Sequence, residues 1–148
     1  FLKGYNTYIL DGDNLRSGIN KDLEFTPEDR KENIRRTAEI AALISSAGFI
    51  VLVSLISPYR IDRNKARFIK PEIFKEIYIK ASVKECEKRD AKGFYLKAKE
   101  GLIKNFTGIN APYEKPNKPD LVIDTEKMNI SRSTEKLTNF IEEEFSRI

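Results

Sequence analysis

Apolar runs that break off into small polar residues alternate along this chain with longer stretches of helical spacing. Tyr8-Ile9-Leu10 runs into Asp11-Gly12-Asp13-Asn14, as a buried strand does at its carboxyl end, and predicts a strand over residues 6–11. Thr26-Pro27-Glu28-Asp29 offers a hydroxyl cap, a proline for the first helical position and an acid three residues after the cap. A helix is therefore expected to run to about Ala47. Gly48 suits the position past its end, and the β-branched run from Phe49 to Ile56 reads as a central parallel strand. Ile73–Ile79 is a third strand candidate and Leu121–Asp124 a fourth. Apolar positions at Ile130, Leu137, Phe140, Ile141 and Phe145 place a helix over the tail, from about Ser131.

Strands alternating with helices imply right-handed βαβ crossovers and an α/β fold with a parallel sheet covered by helices on both faces. Its ligands would bind outside the carboxyl ends of the strands. The polar clusters after the first two strands fall there. Residues 89–120 hold Pro112, Pro116 and Pro119, a basic helix and little apolar periodicity, and are expected to form an excursion over the site, a lid. A chain of 148 residues can bury about two thirds of its unfolded surface, so one domain over 1–148 is the expectation.

Composition narrows the chemistry. With 40% hydrophobic and 34% charged residues and no low-complexity tract, the chain has a globular profile. Its net charge of +4, from 27 basic and 23 acidic residues, is dispersed; it gives no ground for a nucleic-acid partner and suits an anionic small substrate. The sequence has no histidine, which excludes Ser-His-Asp, Cys-His and histidine–metal chemistry and leaves acid–base and metal roles to carboxylates. Cys86 is the only cysteine; it excludes an internal disulfide, suits a reducing cytoplasm and reads as a small buried helix residue. No apolar run reaches the ~18 residues of a membrane span. The start, Phe1-Leu2-Lys3-Gly4, has neither a signal-peptide charge pattern nor a methionine, so the expectation is a soluble chain that begins mid-protein.

Asp11-Gly12-Asp13-Asn14-Leu15-Arg16 sets two carboxylates and a guanidinium at a strand end, where a magnesium-bound phosphate chain needs hard oxygen ligands and positive charge. On spacing alone a polar turn with a surface salt bridge explains it equally well. Arg30 and Asn33, one turn apart, can both face the strand ends while Ile34, Ala38 and Ala41 face the sheet. Phe25 precedes the helix cap without the apolar partner a staple would need, which leaves ligand stacking or loop packing. Ser57, in Ile56-Ser57-Pro58-Tyr59-Arg60, puts a hydroxyl at the same edge. Lys92, Lys97, Lys99 and Lys104 mix with Phe94, Tyr95 and Phe106, a composition suited to clamping a nucleotide or to a solvated basic helix. A single-strand nucleic-acid groove would need a longer positive track.

Six stretches carry a resemblance. Leu10-Asp11-Gly12-Asp13-Asn14, Asn20-Lys21-Asp22-Leu23, Asp29-Arg30-Lys31-Glu32-Asn33-Ile34-Arg35-Arg36, Ile56-Ser57-Pro58-Tyr59-Arg60, Cys86-Glu87-Lys88-Arg89-Asp90 and Phe106-Thr107-Gly108-Ile109 resemble, in order and spacing, the adenylylsulfate (APS) kinases of the P-loop kinase superfamily. The resemblance implies a three-layer P-loop fold. It also implies magnesium-dependent transfer of the ATP γ-phosphoryl group to the 3′-hydroxyl of adenosine 5′-phosphosulfate, giving PAPS and ADP in sulfate assimilation, with no membrane role and with a homodimer among the assemblies allowed.

Carried over from the family, Asp13, Asn14, Arg16, Phe25, Arg30, Asn33, Ile56, Ser57, Lys92 and Phe106 surround APS, with Phe25 and Phe106 on either side of its adenine. Asp13 takes the hydroxyl proton or orders the magnesium shell, Asp11 supports it, and Ser57 is a substrate-side hydroxyl. On the donor side the resemblance places Arg89 near the ATP phosphates and Met128 near the ATP adenine. Phe94, Leu96 and Lys99 depart from the family's Leu-Tyr-Lys-Lys-Ala-Arg segment; a lysine lacks the guanidinium fork, so a weaker clamp is expected there. The family's first strand and Gly-rich phosphate loop would precede Phe1, so these 148 residues on their own are expected to be a poor kinase. Two rivals remain: a related kinase of another nucleotide, such as cytidine diphosphoramidate, and a degenerate module that binds APS without catalysis.

Overall fold

A computed structural model describes residues 4–90 and 92–145. The Phe1-Leu2-Lys3 start lies outside them. The elements run β1 (Thr7–Asp11), α1 (Gly12–Ser17), α2 (Pro27–Ser46), β2 (Ile50–Ser54), α3 (Arg60–Ile69), β3 (Ile77–Lys80), α4 (Val83–Lys88), α5 (Phe94–Lys99), β4 (Leu121–Asp124) and α6 (Ile130–Phe145). The described residues gather into two compact units. One is the chain up to Phe74 together with Lys104–Lys115; the other is Lys75–Ile103 and the chain from Pro116.

In the first unit β1 and β2 pair in parallel, with Thr7 opposite Ile50 and Asp11 opposite Ser54. Both strands therefore end at the same edge, which fixes where their polar successors lie. Helix α2 packs on both strands and on α3. Its start is as the sequence predicts: the Thr26 hydroxyl accepts the Asp29 N–H at 3.1 Å, and Pro27 fills the first turn. Its end agrees as well, because Gly48 takes a φ of 87° and its N–H reaches the Ser45 carbonyl at 3.0 Å.

The core of this unit is partly polar. Leu10, Leu15 and Ile34 are buried, but so are Asn20, Arg30, Asn33, Thr37, Asp62 and Arg63. Buried polar groups need partners, and a unit that buries this many is built around their hydrogen bonds. At the surface Arg36 joins α2 to the preceding turn, donating to Asp22 (2.8 and 2.9 Å) and to Glu32 (2.9 Å).

Hydrogen bonds from Arg35 and Arg36 hold the Glu32 carboxyl at about 2, below its ordinary 4.5. A carboxyl depressed on folding stabilises the native state above its unfolded pKa, and that contribution is lost as pH falls through the native value. Glu32→Gln should therefore narrow its stability gap to wild type as pH falls from about 4.5 to about 2. Urea midpoints across that window check it; a gap independent of pH would contradict it.

In the second unit β3 and β4 pair in parallel, Ile77 opposite Leu121 and Lys80 opposite Asp124, and α6 packs on β4 over the buried Ile123. Among the described residues the four strands form these two pairs. The expected third strand begins later than its apolar run suggests. Ile73 and Phe74 belong to the turn that ends α3, their N–H groups reaching the Lys70 carbonyl at 3.3 and 3.0 Å, while Arg67 lies 4.9 Å from the Phe74 ring centroid. Helices α1 and α3 were not foreseen: α1 has six residues, and α3 buries Asp62 and Arg63 where an apolar stripe would announce a helix. Cys86 does lie in a helix, the six-residue α4, but is half-buried rather than buried.

Candidate active site

The chain enters α1 directly from β1 because Asp11 caps it. Asp11 Oδ1 accepts the N–H groups of Asp13 (3.0 Å) and Asn14 (3.3 Å), so the expected polar turn becomes the first turn of a helix. Asp13 and Asn14 are thereby held exposed at the strand edge. Gly12 sits close against the residue after β2: a Cβ there would stand 2.9 Å from Leu55 Cδ2, so the leucine side chain would have to shift. If Asp11 acts as a cap, asparagine should replace it and alanine should not. Asp11→Ala should cost about 1 kcal/mol of stability and lower activity, with Asp11→Asn close to wild type in both. Thermal unfolding and turnover of the two variants check this; an inactive but stable Asp11→Asn would give the role to the charge instead.

Arg16, in the last turn of α1, donates to the Leu23 and Glu24 carbonyls, each at 2.9 Å, and its guanidinium lies 4.4 Å from the Phe25 ring centroid. Arg30 stands 5.4 Å from the same centroid, donates through Nε to the Phe25 carbonyl (3.1 Å) and through a terminal nitrogen to the Asn105 carbonyl (2.7 Å). One buried guanidinium thus joins the Phe25 turn to the residue beside Phe106, 75 positions further along the chain. Burial lowers the proton affinity of both arginines, and Arg16 lowers that of Arg30 further. Two desolvated guanidiniums beside one aromatic ring form a site whose positive charge an anion would relieve.

Asn33 is buried one turn beyond Arg30, and its Oδ1 accepts from Asn20 Nδ2 at 3.0 Å. Asn20 is fully buried and its own Oδ1 has no partner. Since Asn20 occupies the Asn33 oxygen, the Asn33 amide nitrogen is the end left to donate. The sequence reading did not give Asn20 a role: an asparagine after Gly18-Ile19 reads as a turn residue, and nothing local marks its amide as buried.

Ile56 and Ser57 follow β2 at the same edge; Ile56 is exposed and Ser57 half-buried. Phe106 heads a tight turn in which the N–H groups of Ile109, Asn110 and Ala111 converge on its carbonyl (3.1–3.2 Å), with Gly108 at a φ of 89°. Ten of the expected site residues, Asp11, Asp13, Asn14, Arg16, Phe25, Arg30, Asn33, Ile56, Ser57 and Phe106, accordingly fall in the first unit.

Lys92, Arg89 and Met128 fall in the second unit. Arg89 donates to Glu85 (3.0 Å), to the Thr125 hydroxyl (3.0 Å) and to the Thr125 carbonyl (2.9 Å), which brings it to the loop after β4 that contains Met128. Lys92 and Lys97 lie 5.8 and 6.0 Å from the Phe94 ring centroid, and Lys99 pairs with Glu87 at 2.8 Å. Two of the departures from the family's lid pattern, Phe94 and Lys99, thus have partners of their own, while Leu96 is exposed. Burial, then a hydrogen bond with Cys86, pushes the Tyr95 phenol up to about 12.

Magnesium favours hard oxygen donors and commonly takes one or two carboxylates, the rest of its shell being phosphate and water. Asp13 fits that demand; among the described residues no three acidic, cysteine or histidine side chains gather into a cage. No helix among them is long and apolar enough to cross a membrane.

A parallel α/β framework that collects carboxylate, amide, guanidinium and aromatic groups at its strand ends defines a nucleotide-handling protein. The sequence profile described as adenylylsulphate kinase matches residues 1–124, and the chain belongs to that family. It is similar to an adenylyl-sulfate kinase of Staphylococcus carnosus, 50% identical over 145 residues, which cover 97% of this chain and 73% of that protein. Another, from Prochlorococcus marinus, is 52% identical over 138 residues, covering 93% and 69%. An APS kinase of Mycobacterium tuberculosis, solved with AMPPNP and APS, superposes with a TM-score of 0.87 at 40% identity over 95% of this chain and 83% of that one. These likenesses also bear out the P-loop kinase fold read from the sequence.

Proposed function

We propose that the chain transfers the γ-phosphoryl group of ATP to the 3′-hydroxyl of adenosine 5′-phosphosulfate, releasing PAPS and ADP, and that it does so in the cytoplasm. The observation that carries the acceptor side is the Arg30 guanidinium, bound at once to the Phe25 and Asn105 carbonyls. It draws the segments of two aromatic residues together, and the adenine of APS stacks between Phe25 and Phe106. Arg16 and Arg30 attract the anionic phosphosulfate, and Asn33 donates through its amide nitrogen. Asn14, Ile56 and Ser57 complete the acceptor contacts.

In the reaction the 3′-oxygen forms a bond to the γ-phosphorus as the bond to the β,γ-bridging oxygen breaks and ADP leaves. The hydroxyl proton passes to the Asp13 carboxylate, which Asp11 places through the helix start. Magnesium bound with ATP neutralises phosphate charge, and Asp13 is the side chain of this chain that would hold it. Arg89 serves the ATP phosphates and the loop at Met128 its adenine.

ADP release by the full chain with APS, compared with cytidine nucleotides, tests the reading. Turnover with APS is expected; turnover with a cytidine nucleotide and none with APS would overturn it.

A further inference from the structure

Among the described residues two side-chain-bearing positions take a positive φ, Ser57 at 43° and Asn105 at 56°. L-residues rarely adopt that left-handed conformation, and it persists where the surroundings over-determine it. At Ser57 the pressure is greater, because Pro58 follows and biases the preceding residue towards extended backbone. Each of the two carbonyls is held by one buried arginine: Asn105 O by Arg30 at 2.7 Å, and Ser57 O by Arg63 at 2.7 Å. Arg30 is already assigned to the substrate. Arg63 is not, and at 8% exposure its bonds lie within the protein.

The second arm of Arg63 donates to the Glu114 carbonyl at 2.7 Å, and the Glu114 N–H returns to the Pro58 carbonyl at 2.8 Å. The Glu114 carboxylate accepts the Arg60 N–H at 2.7 Å, at the start of α3, where Tyr59 provides no side-chain cap. The guanidinium also lies 5.9 Å from the Tyr113 ring centroid. A planar fork is what can meet two carbonyls at fixed angles; an ammonium cannot.

We propose that Arg63 is a positioning residue of the acceptor site: its fork holds Ser57 in its left-handed turn and seats the Lys104–Lys115 segment, which carries Phe106, against the start of α3. The inference rests on the assignment of Ser57 and Phe106 to APS. The clamp sets the two ends of that site without touching the substrate.

Arg63→Met and Arg63→Lys in the full chain test it, read by hydrogen exchange at the Glu114 amide and by KM for APS and for ATP. Faster exchange at Glu114 is expected, with KM for APS raised about 10-fold or more in the methionine variant, less in the lysine variant, and KM for ATP within about twofold of wild type. A purely structural arginine would lower the amount of active protein, hence apparent kcat, and leave KM for APS alone. If the methionine variant does not fold, the lysine variant decides by the same readings. Wild-type exchange and KM in Arg63→Lys would overturn the proposal, as would a parallel rise in both KM values. Phe106→Ala separates the two layers. If it raises KM for APS while Arg63→Lys does not, only the positioning role falls; if it leaves KM for APS unchanged, the site assignment falls and this proposal with it.

Discussion

Replacing Asp13 with asparagine is expected to lower kcat by roughly 10²–10⁴-fold, the usual contribution of a positioned proton acceptor, with KM for APS little changed. The side chain is exposed, and the contact that shapes the helix start uses the Asp13 backbone N–H, which asparagine keeps. Thermal unfolding measured alongside separates a chemical loss from a conformational one. Asparagine also removes the charged oxygen that magnesium would take. Raising magnesium should then restore little activity if proton acceptance is the main role, and more if metal ordering is. Single-turnover PAPS formation over a magnesium series measures both. A variant that keeps wild-type kcat would remove Asp13 from the reaction.

Phe25→Ala is expected to raise KM for APS about 10- to 100-fold, since stacking of a base on an aromatic ring is worth ~1–3 kcal/mol. KM for ATP should hold, because the ring lies among acceptor-side groups, with the Arg16 and Arg30 guanidiniums 4.4 and 5.4 Å from its centroid. At 49% exposure its loss should unfold little of the core. Steady-state kinetics with each substrate varied in turn, alongside a thermal melt, check the split. Equal increases in both KM values would mean that Phe25 supports the whole fold rather than the adenine.

Much of this was legible from local signals. The cap at Thr26, the proline at Pro27 and the glycine past Ala47 bound α2 to within a residue, because each acts on its own backbone neighbours. The residues after β1 and β2 could be placed at one edge because parallel strands end together. What escaped the sequence acts across it. Glu114 caps a helix that begins 54 residues earlier, Arg63 joins two distant segments, and α3 hides its buried face behind an aspartate and an arginine. Apolar periodicity cannot report a face made of buried polar groups. Asp11 escaped differently: its side chain turns an apparent loop into a helix start, a choice set by two hydrogen bonds rather than by composition. Arg30 was read as a substrate contact from its family position, and the structure adds the carbonyls that hold it in place.

The central claim is that the acceptor adenine lies between Phe25 and Phe106. The most direct test is transfer of magnetisation between the adenine protons of bound APS and the ring protons of these two residues, assigned by selective labelling of the phenylalanines and by the Phe25→Ala and Phe106→Ala variants. Contacts from the adenine to both rings, each lost in the matching variant, are the predicted result. Bound APS whose adenine contacts neither ring would contradict the account.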